Sequence, residues 1–143
     1  LAIVCDTEGF VAARENGLPL ELPFPSPVQL AGLVVFLFAN WQQNKIARYL
    51  ADIRKDSDGL VRNHLHAICF GGWFEYISCP HFLLECLIYL SLWLISPSNA
   101  VLRSMVGFVV VNQVFAAQIT HRWYRSHFSN YPSDRKAIIP FLL

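Results

Sequence analysis

The chain has 143 residues, of which 55% are hydrophobic and 14% aromatic. One small water-soluble domain of that length cannot bury so much apolar surface, so the excess must meet lipid or a covering partner. The formal net charge of +1 gives no reason to expect a nucleic-acid partner, and the four irregularly spaced cysteines Cys5, Cys69, Cys79 and Cys86 do not form the disulfide framework of a small secreted protein.

The charge is unevenly distributed. Residues 1–26 carry Asp6, Glu8, Glu15 and Glu21 against Arg14 alone. Residues 42–66 are basic, with Lys45, Arg48, Arg54, Lys55 and Arg62 against Asp52, Asp56 and Asp58, and so are residues 121–143, with Arg122, Arg125, Arg135 and Lys136 against Asp134. The first residue is Leu1 and no basic segment precedes an apolar run, so the expected start is a cut through a longer chain rather than a signal peptide. Leu1 to Cys5 then reads as the end of a helix.

Three prolines between Pro23 and Pro27 mark a turn, because proline lacks the amide donor of a helix interior. The run from Val28 to Trp41, VQLAGLVVFLFANW, is apolar almost all round. Its fourteen residues reach only about 21 Å as a helix, so a membrane span here must extend to about residue 46. From Gln43 to Lys55, Ile46, Tyr49, Leu50 and Ile53 recur every three or four residues, the pattern of an amphipathic helix. The mixture of histidines, aromatics and the Gly71-Gly72 pair from Leu60 to Pro80 reads as an ordered loop.

Apolar runs over 82–95 and 101–119 flank Ser96-Pro97-Ser98-Asn99, a turn sequence, and form a helical hairpin. After them Tyr131-Pro132 prevents any continued helix. The expected fold is therefore an all-α, multi-pass membrane bundle with spans at 28–46, 82–95 and 101–119. Segments 47–80 and 120–143 then share one face, which their positive charge makes cytosolic.

Glu85 stands within an apolar run, where a carboxylate is costly unless paired or solvated, and marks a candidate site. His81 lies one helical turn earlier, on the same face. His64, His66, Cys69, Cys79 and His81 do not match a closed zinc-ligand spacing, so no metal is expected. Ser78 and Cys79 lack an evident nucleophile arrangement. Arg54-Lys55 and Arg135-Lys136 place four cations on one face, suited to the phosphates of a dinucleotide. No GxGxxG follows a strand, so such a ligand must bind among helices and loops.

The stretches NWQQNKIARYLADIRK, FGGWFEYISCPHFLLE and THRWYRSHFSNYPSDRKAIIPFLL resemble the C-terminal half of the steroid 5α-reductase family, in its polyprenol-reducing branch. The likeness runs from Asn40 to Leu143. It implies a membrane enzyme of the endoplasmic reticulum that uses NADPH to reduce the α-isoprene double bond of a long-chain polyprenol or polyprenal, in dolichol synthesis for protein N-glycosylation.

The resemblance further implies cofactor contacts from Gln43, Arg54, His66, His81, Glu85 and Tyr124, with His121, Arg135 and Lys136 nearby. Ala67 and Cys69 depart from the Arg and Pro of the family's RIP motif, and Ala47 replaces a polar His. The family's catalytic Glu and Tyr lie upstream of every residue here, so this piece is expected to be inactive alone. Related reductases of 3-oxo-Δ4 steroids or enoyl-CoA, and a non-catalytic membrane paralogue, stay open as alternatives.

Overall fold

The computed structural model describes residues 24–55, 58–60 and 67–140. The described residues form three long α-helices and one short 3-10 turn, without β-strands: α1 (Pro27–Asp52), the turn (Gly72–Glu75), α2 (Pro80–Ile95) and α3 (Ala100–His127). The all-α expectation holds for them.

Helix α1 starts at a reciprocal cap. The Ser26 hydroxyl accepts from the Gln29 amide, the Gln29 side chain accepts from the Ser26 amide at 2.8 Å, and Pro27 occupies a first-turn position where no donor is needed. The helix then continues for 26 residues, so the amphipathic stretch beginning at Gln43 is the second half of α1 rather than a separate element. Nothing between Trp41 and Gln43 breaks a helix. The change of pattern there records a change of surroundings.

Helices α1 and α2 run antiparallel. The Gln29 side chain donates to the Ile95 carbonyl at 3.0 Å at one end, while Ile46 joins Leu84 in a buried cluster with Ala39, Cys69 and Phe74 at the other. Gly32 sits at the crossing, where an added Cβ would lie 3.0 Å from Leu94 Cβ and 3.0 Å from the Ser91 carbonyl. Gly32→Val is therefore expected to force the helices apart and cost roughly 1–3 kcal/mol, read as a lower unfolding temperature of the full-length protein.

Residues Ser96 to Asn99 turn the chain into α3, whose N-cap Asn99 accepts from the Leu102 amide at 3.1 Å. The helical hairpin read from the sequence is thus present. Val101, Met105, Phe108, Val111, Phe115 and Ile119 recur every three or four residues along α3 and are all exposed. By length and composition α3 is able to cross a membrane. Helix α1 has the length, but its second half is polar; α2 is apolar, but its 16 residues reach only about 24 Å.

Helix α3 ends at His127, four residues before Tyr131-Pro132, where the Phe128 amide bonds to the Tyr124 carbonyl. The following tail returns beside the segment that precedes α2. Lys136 N–H donates to the Tyr76 carbonyl at 2.9 Å, Ser78 N–H to the Lys136 carbonyl at 2.8 Å, and Cys79 N–H to the Ala137 carbonyl at 3.2 Å. These bonds form a short parallel bridge between Ile77 and Lys136. Ile138, Ala137, Cys79 and Ala117 close a second buried cluster beneath it, against Phe82, Leu83, Cys86 and Val114.

Candidate functional site

The end of α1, the loop before α2 and the tail after α3 meet at one end of the helices. Gly71 and Gly72 have φ values of +91° and +56°, a pair that residues with side chains adopt at a cost, and they turn the loop into the 3-10 segment. The Glu75 carboxylate fixes the turn by accepting from the Gly71 amide at 2.6 Å. Tyr49 of α1 reaches this loop twice: its hydroxyl accepts from the Phe70 amide at 3.2 Å, and its ring packs on the buried Phe74 ring at 5.5 Å.

Arg135 occupies the centre of this junction and is 3% exposed. Its guanidinium lies over the Phe70 ring, 4.9 Å from the centroid, and over the Tyr131 ring, 5.4 Å from the centroid. Tyr131 in turn stacks on Tyr124, and Tyr124 on Phe128. Phe70, Arg135, Tyr131, Tyr124 and Phe128 are thus linked by successive cation–π and stacking contacts that restrain the guanidinium. Arg135 Nε and Nη2 are buried and have no hydrogen-bond partner among the described residues.

A buried charge left unpaired costs several kcal/mol, whereas an anion with oxygens in the guanidinium plane would satisfy both nitrogens. The donor set suits the oxygens of a phosphate group, which would have to widen the small space now beside it.

Beside Arg135, Ser78 ties three segments together. Its hydroxyl is 2.6 Å from His121 Nδ1 on α3, 2.5 Å from the Tyr131 hydroxyl and 3.2 Å from the Lys136 carbonyl. The Ser78–His121 pair is a nucleophile-like contact that sequence spacing did not reveal. Ser78 is only 6% exposed, however, and a hydroxyl has one donor and two acceptor sites, so three contacts use it fully and leave no lone pair for attack.

The residues expected from sequence are distributed as follows. Arg135, Lys136, His121 and Tyr124 come together; the Tyr124 hydroxyl reaches the Ala67 carbonyl at 3.5 Å, and the Lys136 side chain is exposed while its backbone makes the bridge. Arg54 is exposed just beyond α1, and its charge acts on Cys69 along with that of Arg135. Gln43 is half-buried on the α1 face between Ala39 and Ile46, and His81 half-buried in the first turn of α2; Gln43 Oε1 and His81 Nδ1 are buried without partners among the described residues. Glu85 is half-buried one turn further along α2. His66 lies outside the described residues.

Phe70, Ser78 and Tyr131 were not among the expected site residues. Tyr131 precedes Arg135 by four residues, but in a non-helical tail that spacing carries no signal.

A cavity of about 10 Å³ lined by Cys69, Phe74, Ser78, Tyr124, Tyr131 and Arg135 lies at the junction, room for about one water. A larger groove of about 510 Å³ opens on Gly72, Trp73, Glu75, Tyr76 and Pro140, and none of the expected site residues lines it. Among the described residues no three His, Cys, Asp or Glu side chains are grouped to hold a metal ion.

Burial pushes the Cys79 thiol up to about 12, although a hydrogen bond with Thr120 acts in the opposite direction. Burial also raises Cys69, against the nearby charges of Arg135 and Arg54. Both thiols are therefore expected to stay protonated at neutral pH and to resist N-ethylmaleimide in the folded protein, reacting only after unfolding, as mass spectrometry of the alkylated peptides would register.

The profile of the 3-oxo-5-alpha-steroid 4-dehydrogenase family matches residues 19–143, and the chain belongs to that family. Among curated proteins it is 48% identical over 143 residues to the polyprenal reductase of Caenorhabditis elegans, covering 100% of this chain and 46% of that protein. It is 42% identical over 115 residues to the polyprenal reductase of Danio rerio, covering 80% of this chain and 37% of that protein. Against the polyprenal reductase of Homo sapiens it is 37% identical over 114 residues, covering 79% and 36%. The chain thus spans less than half the length of these relatives, and the family and their names support a reductase.

Proposed function

We propose that the chain is the C-terminal, cofactor-holding part of an NADPH-dependent membrane reductase of long-chain polyprenal, acting in dolichol synthesis at the endoplasmic reticulum. The observation that carries the cofactor half of this reading is the buried Arg135 guanidinium with two unsatisfied nitrogens, at the junction of two basic segments. The substrate half rests on the relatives named polyprenal reductase. In this reading α1 and α2 join α3 in the membrane as part of a multi-pass bundle, with residues 47–80 and 120–143 on the cytosolic, cofactor side.

Arg135, restrained beside Phe70 and Tyr131, would hold a cofactor phosphate, and Arg54 and Lys136 would add positive charge nearby. Arg135 and Arg54 also supply positive charge beside Cys69. Gln43 Oε1 and His81 Nδ1 offer further polar contacts from α1 and α2, with Glu85 one turn on. When bound, NADPH supplies the hydride for the conjugated double bond. The linked aromatic rings and the tail exclude water from the phosphate end, which strengthens every charge contact there.

The aldehyde is the expected immediate substrate. Its carbonyl oxygen accepts the charge that develops when hydride reaches the β-carbon, and an allylic alcohol has no such acceptor. Full-length protein given NADPH with polyprenal, polyprenol or a 3-oxo-Δ4 steroid, and no other dehydrogenase, is expected to turn over the polyprenal. Turnover confined to the alcohol or to the steroid would contradict the assignment.

A further inference from the structure

We infer that Ser78 is a positioning residue for the cofactor site, locking the Arg135 guanidinium in place through Tyr131 and through the backbone of Lys136. The inference rests on the reading that Arg135 holds a cofactor phosphate.

Arg135 is held from two sides, and Ser78 stands behind both. One side is the Tyr131 ring, 5.4 Å from the guanidinium; the Tyr131 hydroxyl lies 2.5 Å from Ser78 Oγ. The other is the backbone at Lys136, whose carbonyl accepts from the Ser78 amide at 2.8 Å and from the Ser78 hydroxyl at 3.2 Å. His121, on α3, fixes Ser78 in turn at 2.6 Å, and its ring meets Tyr131 edge-on at 5.9 Å.

A single hydroxyl thus joins the loop before α2, the end of α3 and the tail. The assignment that satisfies every group has Ser78 donating to the Lys136 carbonyl while accepting from Tyr131 O–H and His121 Nδ1–H. Without it the Tyr131 ring loses its anchor, and the guanidinium loses the fixed position that two-point recognition of a phosphate requires.

The test uses full-length protein with four variants: Ser78→Ala, Tyr131→Phe, the double variant, and Arg135→Met as reference. NADPH KM, lipid KM, kcat and the unfolding temperature without cofactor are measured for each. Ser78→Ala and Tyr131→Phe are each expected to raise the NADPH KM by roughly five- to tenfold, the size of one hydrogen bond. In both, kcat at saturating NADPH and lipid KM should change little; the unfolding temperature should hold in Tyr131→Phe and fall in Ser78→Ala, which also takes a partner from His121 and the Lys136 carbonyl. The double variant should be no worse than Ser78→Ala alone, because Ser78→Ala already removes the bond that Tyr131→Phe removes.

Wild-type NADPH KM in both single variants, alongside a large loss in Arg135→Met, would overturn the inference and leave the phosphate reading standing. Normal NADPH KM in Arg135→Met would overturn the phosphate reading and, with it, any route from Ser78 through Arg135. A parallel loss of kcat, lipid affinity and stability in Ser78→Ala and Tyr131→Phe would mark a purely structural role and also overturn the inference. Tyr131→Phe keeps the ring, so it decides the matter if Ser78→Ala fails to fold.

Discussion

Arg135→Met in the full-length protein is expected to weaken NADPH binding by roughly 10- to 100-fold while leaving the cofactor-free protein as stable as the wild type or more so. The two effects have opposite signs for one reason. A guanidinium with buried, unsatisfied Nε and Nη2 costs folding energy, and methionine of similar volume removes that cost. Losing one charge-assisted hydrogen bond to a phosphate removes about 1.5–3 kcal/mol of binding, the roughly 10- to 100-fold given, and losing both removes more. Isothermal titration with NADPH gives the first number and a thermal melt without cofactor the second. A purely structural arginine would move both in the same, unfavourable direction.

Ile138→Ala is expected to have the largest effect on stability. Ile138 is 1% exposed and shares its cluster with Cys79, Ala117 and Ala137, so it fastens the tail that carries Arg135 to the helices. Truncating such a side chain costs about 2–5 kcal/mol through lost contacts and a residual cavity. Because the tail is fastened here, faster proteolysis between residues 128 and 140 and a reduced thermal shift on adding NADPH should accompany the loss. Ile139→Ala, at a 38% exposed position next door, should cost far less and serves as the control.

The two predictions separate what the sequence disclosed from what it hid. The turn at Ser96 to Asn99 was legible because proline and a capping asparagine punctuate the chain locally. The all-α fold was legible from long apolar runs without strand alternation. The continuity of α1 was not, since a change of hydrophobic pattern at Gln43 looks the same whether a helix ends or merely changes its surroundings.

In the candidate site, Arg135 and Lys136 were visible as cations, and His121 and Tyr124 entered through family resemblance. That Arg135 is buried and without a counter-ion among the described residues could be known only after the tail folds back. Ser78 shows no nucleophile arrangement in the sequence, since its side-chain partners lie 43 and 53 residues away. Hydrogen bonds across such separations leave no periodic trace in a sequence, and the parallel bridge at Ile77 and Lys136 leaves as little.

The most direct test is a structure of the full-length protein with NADPH bound, examined at Arg135. The account predicts a cofactor phosphate oxygen at charge-assisted hydrogen-bond distance, roughly 2.7–2.9 Å, from Arg135 Nε or Nη2. Finding those two nitrogens paired instead with a carboxylate from elsewhere in the full-length protein, and the cofactor phosphates distant from the junction, would contradict it.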